Sequence, residues 1–207
     1  MDVADLPRPV GYVLGGGAVQ VGMLQALGER KIVPGIVAGS PVGSLNGAVV
    51  AADPKGAANR LSHLWARLTR GDVFPGGLLA QARTLQRTRT HLFPSTGLAA
   101  VITRFLGADI TFADLTLPFA AVAMDSATAL PHDLREGPLL PALLASTAIP
   151  GIFAPVQLGS LAWWPTCRCG RRWRWAPGRW SSWTAASPGT CLVRPARSLR
   201  YCCTPRW

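Results

Sequence analysis

The sequence predicts an α/β fold, because buried strands alternate with helices along most of its 207 residues. The first strand is expected at residues 10–14 and runs into three glycines, Gly15, Gly16 and Gly17. A helix follows, since the next apolar residues recur at roughly helical spacing: Ala18, Val21, Met23, Leu24 and Leu27. A second strand, at 32–38, meets a second helix, at 42–52, through another glycine-containing turn. The repeated order of strand, turn and helix favours a sheet covered by helices.

The glycine run at residues 15–17 is the first candidate binding element. Three glycines alone usually form only a turn, but these lie between a strand and a helix. The N-terminus of a helix presents unpaired N–H groups, which bind anions. Because a second strand–turn–helix unit follows directly, we expect the glycine run to form part of a site.

The turn after the second strand has the outline of a nucleophile elbow, the G-x-S-x-G motif that holds a serine at the tip of a strand-to-helix turn. Gly39 and Gly43 have the spacing of the two glycines, but the central position holds Pro41. The backbone at such a tip is usually strained, whereas proline fixes φ at about −65° and has neither a hydroxyl nor an N–H group. Pro41 therefore removes the nucleophile and resists the turn that would present it. The neighbouring hydroxyls belong to Ser40 and Ser44.

The middle of the chain, residues 55–106, is expected to be helical. Two apolar faces are predicted to pack inward, and they comprise Leu61, Leu64, Trp65 and Leu68, then Leu78, Leu79, Ala82 and Leu85. Arg83, Arg87 and Arg89 are expected on a solvated side. A buried strand at 119–124 ends at Asp125, for which we expect a structural role.

Four landmarks in this order resemble the patatin-like phospholipase family. They are LGGGA at 14–18 with GML at 22–24, GSPVGSLNG at 39–47, AMD at 123–125 and ASTAIPGIFAPV at 145–156. The resemblance covers residues 10–158 and implies a three-layer α/β fold with a mostly parallel central sheet. It further implies a Ser–Asp dyad that hydrolyses acyl esters of lipids, with Gly15, Gly16 and Gly17 as the oxyanion hole. Such a dyad needs no cofactor and no metal.

Three departures from the family pattern bear on activity. Pro41 stands in the nucleophile position, and the glycine loop looks several residues short. The Asp-Gly-Gly motif expected after Val156 is missing, and the sequence contains no Asp or Glu after Glu136. Ser40 is then the remaining candidate catalytic residue. Since its side chain should point away from the family position, we expect the chain to be inactive or nearly so.

Composition changes sharply near residue 159, which divides the chain into a partial family domain at 1–158 and a tail at 159–207. The tail holds seven of the eight tryptophans, all five cysteines and nine of the 21 basic residues, without an acid. The first part, with 12 basic and ten acidic residues, carries +2, and the tail carries +9. Because the tail shows no strand or helix period, we expect it to be disordered, with the C-terminal part of the family fold missing.

A change of reading frame would account for this tail. With codons chosen for residues 162–173 and read one nucleotide earlier, the message becomes Gly-Val-Val-Ala-Asn-Val-Pro-Val-Arg-Gln-Ala-Val. That peptide resembles the segment after the catalytic aspartate in the family. We therefore expect a frame change near residues 158–162, which sequencing of the locus would test.

The remaining features exclude several classes of protein. The cysteine spacing lacks the C-x₂-C pairs of structural zinc sites, and neither a signal peptide nor an uninterrupted apolar span is expected, which favours a cytoplasmic protein. The resemblance implies a lipid or acyl-ester partner. A rival interpretation remains open, in which the Arg/Trp tail makes the chain a non-enzymatic binding module. Its partner would be an anionic lipid surface, as a peripheral contact, or less readily nucleic acid.

Overall fold

A computed structural model describes residues 8–125 and 130–158, together with the backbone of four short segments of the tail. Its helices are α1 Val19–Glu29, α2 Val42–Ala52, α3 Ala57–Arg67, α4 Arg70–Val73, α5 Leu78–Thr88, α6 Thr96–Leu106 and α7 Leu139–Thr147. Its strands are β1 Val10–Leu14, β2 Pro34–Gly39, β3 His91–Phe93, β4 Phe119–Asp125, β5 Pro131–Leu134, β6 Gly151–Phe153, β7 Val156–Leu158, β8 Leu161–Trp164, β9 Arg174–Trp175, β10 Trp180–Ser181 and β11 Thr190–Leu192.

The central sheet confirms the predicted mixed α/β fold with a parallel centre. Strands β1, β2 and β4 lie side by side and run parallel, with Leu14 opposite Gly39 and Gly39 opposite Ala121. Antiparallel strands flank this centre: β11 pairs with β1, β5 and β8 pair with β4, and β7 pairs with β8. The parallel strands are apolar because helices cover them, and every residue of β4 except Met124 is buried.

Helix α2 is the element on which the parallel strands pack. It contacts β1, β2 and β4, and it also touches α3, α6 and α7. Eight of its eleven residues are buried, and most of these are small: Gly43, Ser44, Asn46, Gly47, Ala48, Val49, Val50 and Ala51. Small side chains let a helix approach a sheet closely. A Cβ on Gly47, for example, would lie 2.8 Å from the ring of Phe119. The core thus brings the turn before α2 close to the ends of the parallel strands.

Two segments of the tail contribute backbone to the sheet. Strand β8 pairs with β4, which extends beyond β2, and β11 pairs with the free edge of β1. The remainder of the tail, and with it the expected disorder, lies outside the described residues. The apolar face expected to bury Leu78 and Leu79 is instead exposed, because α5 contacts the body through other residues. The boundary between 158 and 159 stays a prediction.

Candidate active site

The predicted elbow is a strand-to-helix turn with a relaxed backbone. Pro41 directly precedes α2 and has φ −70° and ψ −53°, which are ordinary helical values. Among the described residues other than glycine, only Lys31 and Arg89 have positive φ, and neither belongs to this turn. The strain that would hold a nucleophile at the tip is therefore absent from Pro41, as its fixed ring torsion predicts.

The glycine loop and the elbow lie in direct contact. Ser40 N donates to Leu14 O at 3.0 Å, so the end of β2 is bonded to the end of β1. A Cβ on Gly43 would overlap Leu14 O and would lie 2.6 Å from Gly15 N. A Cβ on Gly39 would overlap Gly43 O. Glycine is therefore needed at both elbow positions, because the backbone segments approach each other too closely for a side chain. The contact lies at the carboxyl ends of the parallel strands, where α/β proteins bind ligands.

The side chain of Gln20 lies under the glycine loop and is completely buried. The amide group fits in two orientations, in which its oxygen and its nitrogen exchange positions. In one, Oε1 accepts from Asn46 Nδ2 at 3.0 Å but faces the carbonyl of Gly16. In the other, Oε1 accepts from Gly15 N at 3.0 Å and Gly16 N at 3.2 Å, while Nε2 donates to Gly16 O at 2.6 Å.

We assign the second orientation because it gives both polar atoms of the Gln20 amide acceptable partners in the loop. In this orientation Gln20 Nε2 and Asn46 Nδ2 lie 3.0 Å apart, and two such donors form no hydrogen bond with each other. Asn46 Nδ2 still donates to Gly17 O at 3.1 Å. The amide oxygen of Gln20 therefore engages two of the three N–H groups that the family resemblance assigns to an oxyanion. That assignment of Gly15, Gly16 and Gly17 stays a prediction.

Asn46 on α2 ties the elbow helix to the loop and to α3. Its Nδ2 donates to Gly17 O at 3.1 Å, and its Oδ1 accepts from Trp65 Nε1 at 3.1 Å. The indole of Trp65 also lies close to Gly17, where an added Cβ would meet it at 3.6 Å. Sequence reasoning placed Asn46 in a motif and Trp65 on an apolar face but missed their pairing. Gln20 could have been singled out from the sequence because it is a polar residue within the apolar pattern of α1.

The two serines of the elbow differ in their environment. Ser44 is completely buried, and its Oγ donates to Pro41 O at 2.6 Å, so this hydroxyl is engaged by the backbone carbonyl at the start of α2. Ser40 is half-buried at the carboxyl end of β2, and its backbone amide is bonded to β1. Ser40 therefore remains the candidate nucleophile that the sequence indicated, and its catalytic role stays a prediction.

Asp125 ends β4, well beyond the level of the elbow. Gly39 is opposite Ala121, so Asp125 lies four residues farther along its strand, a distance of roughly 13 Å along the strand axis. It is 3% exposed, and its amide donates to Leu130 O at 3.0 Å, which joins the end of β4 to the residue before β5. The structural role expected for Asp125 stays a prediction. In the described part of the chain, no group of three or more His, Cys, Asp or Glu residues is arranged to bind a metal.

The fold has a counterpart among solved structures. The crystal structure of VipD from Legionella pneumophila matches with a TM-score of 0.54 at 13% sequence identity. The match covers 77% of this chain and 46% of the VipD chain. At this identity the likeness concerns the fold alone. None of the described helices has the length and apolar character of a membrane span.

Sequence comparison identifies relatives directly. Uncharacterized NTE family proteins of Mycobacterium bovis and Mycobacterium tuberculosis are 30% identical over 165 residues, covering 73% of this chain. The match spans 40% of the length of each relative. The family model described as patatin-like phospholipase matches residues 13–165, which include the glycine loop, the elbow and β4. Since that match extends over most of the sequence, the chain belongs to the patatin-like phospholipase family.

Proposed function

We propose that this chain comes from a lineage of lipid acyl hydrolases and has lost ester turnover. Its family membership supports the lineage. One observation carries the loss: Pro41 stands between β2 and α2, in the position that the family resemblance gives to the nucleophile, with an ordinary helical φ of −70°. A proline ring has no hydroxyl to attack an ester carbonyl, so the acyl-enzyme that this chemistry requires has no residue to form on.

Two further observations support the proposal. In the orientation assigned to the Gln20 amide, Oε1 accepts from Gly15 N and Gly16 N, so donors that would stabilise a tetrahedral intermediate already have a partner. The sequence holds no carboxylate after Glu136, where the family pattern has its catalytic aspartate. Restoring a hydroxyl at one position would therefore leave proton transfer and charge stabilisation incomplete. Members of a catalytic set act as a unit, so restoring one of several missing members recovers little activity.

Ser40 is the residue that could contradict this proposal. It immediately precedes the family position and is half-buried. Successive side chains at the end of a strand point to opposite sides, which would direct the Ser40 hydroxyl away from an acyl group bound opposite Pro41. Activity that depends on Ser40 would show that the turn has been rebuilt around a shifted nucleophile.

The experiment combines ester turnover with fluorophosphonate labelling of the full-length chain, with a family member that retains the elbow serine as the positive control. We expect neither turnover nor labelling in the unaltered chain. We also expect Pro41→Ser to remain without turnover, because the aspartate is missing. Labelling that disappears in Ser40→Ala, or turnover restored by Pro41→Ser alone, would overturn the proposal.

A further inference from the structure

Helix α5 presents its leucines to solvent. Leu78 and Leu79 are 82% and 80% exposed, and Leu85 is 43% exposed. None of the eleven residues of this helix is buried. Large exposed apolar side chains grouped on one helix mark a surface that binds a partner or a membrane.

The side of α5 that faces the body is polar, which reverses the usual pattern of a surface helix. Its half-buried residues are Gln81, Thr84 and Thr88, which follow one another at helical spacing. Thr88 Oγ1 donates to Thr84 O at 2.8 Å and lies 3.3 Å from His91 O, at the start of β3. A surface helix normally turns its apolar stripe towards the core and its polar residues outward. Among the described residues, the leucines of α5 therefore have no partners that cover them.

Arginines accompany the exposed leucines. Arg83 and Arg87, four residues apart, are exposed on α5 and line a concavity of about 820 Å³ together with Leu78 and Leu79. The sequence has no Asp or Glu between Asp72 and Asp109, whereas four arginines fall in this interval: Arg83, Arg87, Arg89 and Arg104. The surface thus combines apolar side chains with uncompensated positive charge.

The charge decides among the partners that such a surface fits. A second copy of the chain in a two-fold contact would bring the arginines of two α5 helices together, which is unfavourable. The tail of the same chain is also unsuitable as a cover, because it holds nine arginines and no acid. Phosphate headgroups over acyl chains complement both features, since arginine binds phosphate while leucine enters the apolar boundary.

We propose that α5 docks this chain on an anionic lipid surface. Leu78 and Leu79 enter the boundary between headgroups and acyl chains, and Arg83 and Arg87 bind the lipid phosphates. Long arginine side chains allow their guanidinium groups to stay at headgroup level while the helix lies in the interface. This docking does not require ester turnover, so it goes beyond the function proposed above and is tested separately from it.

The test is co-sedimentation of the full-length chain with phosphatidylcholine vesicles that contain or lack phosphatidylserine. We expect binding to the anionic vesicles that weakens as salt is added. The double variants Leu78→Ser/Leu79→Ser and Arg83→Gln/Arg87→Gln should each lower the partition coefficient about tenfold or more. The matched control is Val19→Ser/Val33→Ser, which removes exposed apolar residues outside α5, 76% and 53% exposed, and should leave binding unchanged.

Amide hydrogen exchange provides a second measurement that needs no variant. Anionic vesicles should slow amide exchange across residues 78–88. They should leave the rate of amide exchange at the exposed end of α3 unchanged. The proposal would be overturned if the chain did not bind anionic vesicles, or if vesicles did not alter amide exchange in residues 78–88. It would also be overturned if both α5 double variants still bound the vesicles, because binding would then depend on the tail. Self-association abolished by the leucine variant would assign the surface to a second copy instead.

Discussion

Asn46 Nδ2 donates to Gly17 O at 3.1 Å and thereby joins the helix after the elbow to the glycine loop. The same side chain accepts from Trp65 Nε1, so α2, the loop and α3 meet at one buried amide. None of these contacts involves a reacting group. The geometry of the site is held by packing and hydrogen bonds that persist although the nucleophile position holds Pro41.

The first prediction concerns this buried amide. Asn46→Ala should lower the free energy of unfolding by about 2–4 kcal/mol, because Gly17 O and the indole N–H of Trp65 would lose their partner and a cavity would remain. The measurement is urea unfolding of the full-length chain. The control is Asn59→Ala on α3, where the side chain is exposed and the change should stay within about 0.5 kcal/mol.

A double-mutant cycle with Trp65→Phe tests the mechanism behind that loss. If the bond between the two side chains matters, the two losses should add to more than the loss in the double variant. Strict additivity would show that the bond between Asn46 and Trp65 contributes nothing, and that the loss comes from the bond to Gly17 O and from packing.

The second prediction uses two glycines in helices with different surroundings. Gly43→Ala should lower the free energy of unfolding by about 3 kcal/mol or more, since its Cβ would overlap Leu14 O and force β1 away from α2. Gly22→Ala on α1 meets nothing within 4 Å and should instead stabilise the chain by about 0.5–1 kcal/mol through higher helix propensity. Denaturant unfolding of both variants gives the comparison. A Gly43→Ala variant as stable as the parent would mean that the loop and the elbow are not in contact.

Local patterns in the sequence predicted the elements around the site well. The helix expected at 42–52 is α2, and the strand expected at 10–14 is β1, because each is a largely apolar run beside a glycine-containing turn. The strand expected at 32–38 begins two residues later, at Pro34. The parallel pairing of β1 and β2 places the glycine loop and the elbow at the same edge of the sheet.

Other features depend on partners that periodicity does not reveal. The spacing of Leu78, Ala82 and Leu85 identified an apolar stripe on α5, but not whether anything in the fold would cover it. The pairing of β3 with β6 joins His91 to Gly151, and these short strands carry too few residues for a period to stand out. Gln20 was missed for a related reason, since one polar residue in an apolar helix does not show which backbone groups it will bind.

The third prediction concerns alkaline pH. Burial raises the pKa of Tyr12 from 10.0 to about 12, and its hydroxyl donates to Ile32 O at 2.7 Å. The fold therefore favours the protonated phenol. The stability that this group contributes is fully present below pH 10, the unfolded pKa, and is lost as pH rises towards the folded pKa. A shift of about two units corresponds to roughly 2–3 kcal/mol lost across this window.

Urea unfolding between about pH 8 and 11 measures the first part of this loss, roughly 1–1.5 kcal/mol by about pH 11, with Tyr12→Phe as the control. The variant should be less stable at about pH 8 by about 1–2 kcal/mol, because Ile32 O loses its hydrogen bond. Its stability should then decline less steeply above about pH 10, since the remaining decline comes from other groups that titrate there. An equally steep decline in both proteins would show that the pKa of Tyr12 does not differ between the folded and unfolded states, so that its ionisation is not coupled to folding.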